Sequence, residues 1–154
     1  MAVADYDPSK DGWEQITDPG FIELIGPVWK KMEGDQLLVG YHVTEKHLNR
    51  NRVAHGGLVM TVLDHAMAMA SWVKIGYRKQ ATIQFDVQLV SRSEMGDFVI
   101  IRPEVVRSAR NLIFLRAQGF VGDRLIVSAS GVWTLLPGQP GDIADAAAAS
   151  AAKE

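Results

Sequence analysis

The chain has 154 residues, 47% of them hydrophobic, which suits one compact domain with a real core. A net charge of −2 offers no basic surface to nucleic acid, and the lack of cysteine excludes a disulfide framework and thiolate metal sites while fitting a reducing interior. The start of the chain has no basic region followed by an apolar core, so the expectation is a cytoplasmic protein without a secretory leader.

Residues 1–16 read as a flexible N-terminal segment, polar through residue 12. A short helix is expected from Pro19 to Ile25, with Asp18 as N-cap and Pro19 in the first helical position, and Gly26-Pro27 should stop it. Residues 28–33 and 37–43 are two apolar runs separated by Gly34-Asp35, the pattern of a hairpin. A polar loop, residues 44–54, leads into His55-Gly56-Gly57.

Apolar residues at 59, 62, 63, 66, 67, 70 and 73 then recur at helical spacing up to Gly76. Asp64 and His65 interrupt this stretch, which makes it too polar for a membrane span. Residues 81–90 alternate strictly, with Ile83, Phe85, Val87 and Leu89 on one face and Thr82, Gln84, Asp86 and Gln88 on the other. Three further strands follow turns at Gly96-Asp97, Ser108–Asn111 and Gly122-Asp123, which predicts an antiparallel meander. Pro103 points to an edge or a bulge in its strand. Residues 17–137 form the expected domain, and the alanine-rich tail, 138–154, is expected to be disordered. The class is α+β, one antiparallel β-sheet wrapped around one long central helix.

The chemistry concentrates at the start of that helix. N–H groups at a helix N-terminus can hold a carbonyl oxygen that gains negative charge, and glycine permits close approach of the backbone. Asp64 lies about two turns further on, flanked by Leu63, Ala66, Met67 and Ala68, and a carboxylate in such company needs a partner or a task.

These residues resemble the hotdog-fold acyl-CoA thioesterases, in the phenylacetyl-CoA thioesterase-like (PaaI-like) branch. The pattern is Asn49, then His55-Gly56-Gly57, then Asp64, with Thr82 opening the next strand, Gly96-Asp97 in the following turn and a last strand ending V-S-A-S-G-V-W-T. The likeness spans roughly 21–136. It departs at Arg52, where many relatives carry glycine, and at Arg92, where they carry proline.

The resemblance implies a hotdog fold and hydrolysis of an acyl-CoA to free acid and coenzyme A, with no cofactor and no metal. Gly56, helped by Gly57, would polarise the thioester carbonyl. Asp64 would be the general base for water or a nucleophile, and both roles stay open. Asn49 would orient the water or the thioester, although an asparagine in a polar loop also caps turns. His55 would be a positioning residue, and the Thr82 hydroxyl would hold the attacking water. Arg92, Arg107 and Arg110 fall at strand ends, where guanidinium forks suit the phosphates of coenzyme A. Phe21, Leu24, Met60, Met67 and Trp72 are candidates for the acyl pocket.

Eight residues of helix separate Gly56 from Asp64 by about 12 Å at ~1.5 Å per residue, too far for both to reach one carbonyl within a single chain. A catalytic reading therefore demands a homodimer that pairs Gly56 of one subunit with Asp64 of its mate, and the resemblance adds a dimer of dimers, a homotetramer. Three rivals remain: a metal site drawn from His42, His47, His55, Asp64 and His65; a hotdog dehydratase; and a non-catalytic acyl-CoA-binding protein of the same fold.

Overall fold

The computed structural model describes residues 6–142; the expectations that fall on residues 1–5 and 143–154 lie outside them. Seven strands and two helices follow in the order β1 (Glu14–Gln15), α1 (Phe21–Ile25), β2 (Val28–Glu33), β3 (Gln36–His42), α2 (Gly56–Ile75), β4 (Gln80–Leu89), β5 (Phe98–Ser108), β6 (Leu112–Val121) and β7 (Arg124–Leu135). The strands form one antiparallel sheet ordered β1-β2-β3-β5-β6-β7-β4, which packs around α2 as a hotdog.

The buried face of α2 supplies Leu58, Val59, Val62, Leu63, Ala66, Met67 and Ala70, close to the apolar spacing read from the sequence. Val73 departs from it and is exposed. Inward residues of β3, β5, β6 and β7 close on this face, with Val39, Ile101, Ile113 and Val127 fully buried. By length and composition alone α2 is long and apolar enough to cross a membrane. Its place inside the sheet is that of a core helix.

The segment preceding residue 17 is built into the fold rather than loose over residues 8–15. Pro8–Asp11 form a 3-10 turn capped by the Asp7 side chain, and Glu14–Gln15 pair with β2. The anchor is Trp13, which packs edge-on against Phe98 at 5.2 Å on the outer face of β3 and β5. Gly40 makes that seat possible, because a Cβ there would lie 2.5 Å from the Phe98 ring. Gly40→Ala is therefore expected to lower stability by about 1–3 kcal/mol through overpacking. A shifted denaturant midpoint with unchanged specific activity checks this, since Gly40 faces away from α2.

Four other expectations are corrected. The first helix starts at Phe21 with Gly20 as cap, and Asp18 contributes its backbone carbonyl to Glu23 N–H rather than a side-chain cap. The four strands after α2 are not one meander: β5, β6 and β7 are, but β4 sits beyond β7 at the sheet edge. The stretch between β4 and β5 cannot close a tight hairpin, because Val90 and Ser91 bond Ile126 O and Val53 bridges to Glu94 on the way. Pro103 sits in an interior strand opposite Ala117; pairing with β3 ends two residues earlier, so its missing N–H costs no ladder bond, and Gln36 Nε2 bonds its carbonyl at 2.7 Å. The tail is docked at its start, where Gly141 N–H donates to Gly76 O at the end of α2.

Three register shifts break the alternation of the strands, one of them between Gly119 and Phe120, where Ile126 of β7 is left unpaired. In β5 the register shifts between Val105 and Arg107, which turns Arg107 to the outer face opposite Phe114. In β4 it shifts between Thr82 and Gln84, leaving Ile83 unpaired.

Candidate active site

The bulge at Ile83 builds the site. Strict alternation puts Thr82 on the face opposite Phe85, Val87 and Leu89. The extra residue reverses the phase, so Thr82 shares the inward face with those three, as their β7 partners Trp133, Gly131, Ala129 and Val127 show. Thr82 Oγ1 then donates to Asp64 Oδ1 at 2.8 Å. Asp64 is half-buried between Leu63 and His65, which are both buried. Its carboxylate thus has one fixed donor and an open side.

The second part is the corner at the start of α2. His55 is the N-cap, in extended conformation (φ −64°, ψ 134°), and its Nδ1 accepts from Gly57 N–H at 2.9 Å. That corrects the role expected of Gly57, whose N–H is satisfied by the cap and is not available to a substrate. It also fixes the tautomer, with the proton on Nε2. Gly56 N–H, by contrast, has no protein acceptor among the described residues, and the Leu89 side chain lies close to the Gly56 Cα, where an added Cβ would be 2.9 Å from Leu89 Cδ1.

Asn49 serves the loop. Its Oδ1 accepts from Asn51 N–H (2.8 Å) and Val53 N–H (3.4 Å), and it makes no hydrogen bond to Asp64, His55 or Gly56 among the described residues. Arg52 in the same loop has φ 61°, a left-handed conformation that costs a non-glycine residue about 1–2 kcal/mol. The Glu45 carboxylate holds its guanidinium by a forked pair of bonds.

His47 locks the corner from behind. Its Nδ1 accepts from Thr44 N–H at 3.0 Å, its Nε2 donates to Ile25 O at 2.7 Å, and its carbonyl accepts from His55 N–H at 2.8 Å. Burial holds its pKa below the usual imidazole value. The same cause lowers His65, whose Nδ1 is 3.8 Å from Asp18. His42 bonds the Tyr6 carbonyl. These histidines lie in different places, His65 with a buried and unpartnered Nε2, and among the described residues no three His, Asp or Glu side chains converge on a metal position.

The three arginines do not gather. Arg92 pairs with Glu94 at 2.8 Å near the start of β5, whereas Arg107 and Arg110 sit at its far end. Ten residues of strand, about 33 Å, separate those ends. Met67 is fully buried in the core. Phe21, Leu24 and Met60 are exposed apolar side chains, and Trp72 is half-buried against His65.

Two residues that the sequence reading passed over bind the same strand to α2. Ser71, fully buried, donates to Gln80 Oε1 at 2.5 Å, and Gln80 Nε2 donates to Ala68 O at 2.8 Å. The clue was present: Asp64, Ala68 and Ser71 lie at i, i+4 and i+7, one stripe of small and polar residues on an apolar helix.

Comparison with known proteins fits this geometry. The family model of the thioesterase superfamily matches residues 51–128. An esterase candidate of Pseudomonas aeruginosa, PA0474, is 28% identical over 116 residues, covering 74% of this chain and 87% of the relative. A mutant of the phenylacetic acid degradation protein PaaI from Thermus thermophilus superposes with a TM-score of 0.69 at 22% identity, over 77% of this chain and 100% of that one. Protein smu.793 from Streptococcus mutans, solved bound to acetyl CoA, gives 0.64 at 20% identity, over 71% and 87%.

Proposed function

The chain belongs to the thioesterase superfamily, and from that premise we propose that it hydrolyses acyl-CoA thioesters to the free acid and coenzyme A, with Asp64 and the Gly56 N–H as the reacting apparatus. The observation that carries this reading is the Thr82–Asp64 bond, which holds a carboxylate in place on the core helix with one side left open. A carboxylate held this way is placed to take a proton from water or to attack the carbonyl itself. In either course the thioester carbon becomes tetrahedral, its oxygen gains charge, and the C–S bond breaks; the thiolate takes up a proton originating from water, and after direct attack a water then cleaves the Asp64 anhydride to free the acid. The free Gly56 N–H and the positive end of α2 stabilise that oxygen. His55 keeps the corner in shape by occupying Gly57 N–H.

This chemistry needs two chains. Gly56 and the Asp64 of the same helix stay about 12 Å apart in a straight helix. Support for a second copy comes from β4, an unpaired ten-residue edge whose Ile83 and Leu89, with Val90 beyond it, are exposed. Long apolar edges of this kind invite pairing with another chain. A two-fold partner would bring its own Gly56 corner to Asp64, and with it Arg92, so that arginines from opposite sheet ends could meet at one coenzyme A.

The solved relative bound to acetyl CoA supports a coenzyme A thioester as substrate class. The dehydratase reading loses ground at His55, since Nδ1 is taken by Gly57 and Nε2 carries the proton, leaving no free ring nitrogen to abstract one from carbon. The test is a thiol-release assay over aryl-, short- and medium-chain acyl-CoAs. Release from at least one class is expected. A purified dimer that releases no thiol from any of them would reject hydrolysis and leave acyl-CoA binding.

A further inference from the structure

Resting on the reading of Asp64 as the reacting carboxylate, we infer that Gln80 is a positioning residue for hydrolysis, a clamp that sets the phase of β4 so that Thr82 meets Asp64. Three observations converge on it. Within the chain β4 bonds in the sheet to β7 alone, and side-chain bonds from Gln80 and Thr82 tie it to α2. It also carries the bulge that turns Thr82 inward, and a bulged edge can slip by one residue unless something pins it.

The pin is the Gln80 amide. Its oxygen accepts from Ser71 and its nitrogen donates to Ala68 O, both on the stripe of α2 that carries Asp64. Gln80 and Thr82 are two residues apart, about 6.7 Å along the strand, and make successive rungs from β4 to one helix face. A slip of one residue would carry Thr82 to the outer face and leave Asp64 without its donor. Ser71 is fully buried, and an unpaired hydroxyl there would be costly, so the rung also resists slippage energetically.

The clamp acts through Thr82 and not on the reacting atoms, which predicts a specific pattern. Gln80→Leu, of similar size but without either bond, is expected to lower kcat about tenfold with KM changed less than about twofold. Thr82→Val is expected to lower kcat by a similar factor. In the Thr82→Val background, Gln80→Leu should change kcat by less than about twofold, because the contact it protects is already gone. Losses that multiply to about a hundredfold, or an unchanged kcat in Gln80→Leu, would overturn the clamp. Should Gln80→Leu fail to fold, Ser71→Ala carries the same test, with a loss of about threefold that vanishes in the Thr82→Val background. Asp64→Ala runs alongside: full turnover there sinks the site and the clamp together, whereas a dead Asp64→Ala with multiplying losses sinks the clamp alone.

Discussion

Asp64→Ala is expected to lose at least about 10²-fold in kcat while its stability stays within about 0.5 kcal/mol of the parent's. The two halves of this result have separate causes. Asp64 is the only carboxylate on the stripe of α2 that faces β4, and its one protein partner is the Thr82 hydroxyl. Without it, an attacking water has no acceptor for its proton, and a direct attack has no nucleophile. For folding, by contrast, aspartate in a helix interior is a poor choice, and alanine there is better by roughly 0.5 kcal/mol of intrinsic propensity. The lost hydrogen bond costs about 1 kcal/mol at most at a half-exposed site, so the melting temperature should stay close to that of the parent. Thiol release and thermal melting on the same preparation check both halves. A stable Asp64→Ala protein with full turnover would reject the proposed site.

Gly56→Pro is expected to lower kcat by about 10²–10³-fold, the usual effect of deleting one oxyanion donor. Proline is the cleanest way to remove a backbone N–H here. Gly56 is the first residue of α2, the helical position that proline tolerates best. His55 before it already has the extended conformation that a following proline requires. The new ring would press on Leu89 Cδ1, the far end of a flexible side chain, and a companion Leu89→Ala variant tests for that contact. The same variant reads the subunit arrangement. If each site joins Gly56 of one chain to the partner subunit's Asp64, mixing inactive Gly56→Pro and Asp64→Ala proteins at equal ratio restores about a quarter of parental activity, since half the dimers are mixed and each has one intact site. A mixture as inactive as its components would place both groups of a site on the same chain.

Much of this was legible one segment at a time. α2, its stop at Gly76 and the hairpin at Gly34-Asp35 follow from spacing and turn chemistry, which act over a few residues. Asp64 was legible because a carboxylate stands out on an apolar helix. What failed were claims about where a hydrogen-bonding group is spent. Asn49 and Gly57 belong to the same motif as Asp64 and Gly56, yet Asn49 Oδ1 ties its loop and Gly57 N–H caps His55. Residue type and spacing say that a donor exists, and only the neighbours in space say what it donates to. The arginines are separated for a related reason, since positions at strand ends do not tell which end of the sheet.

The sequence by itself determined most of the elements, the hotdog arrangement through its resemblance, and the carboxylate on which the proposed chemistry rests, because hydrophobic period and turn residues are local properties of a chain. Only the tertiary structure decided the phase of β4. A strand's face is set by its partner strand and its bulges, so an alternating pattern that put Thr82 on the outer face becomes, with Ile83 left out of the ladder, one that turns Thr82 onto Asp64.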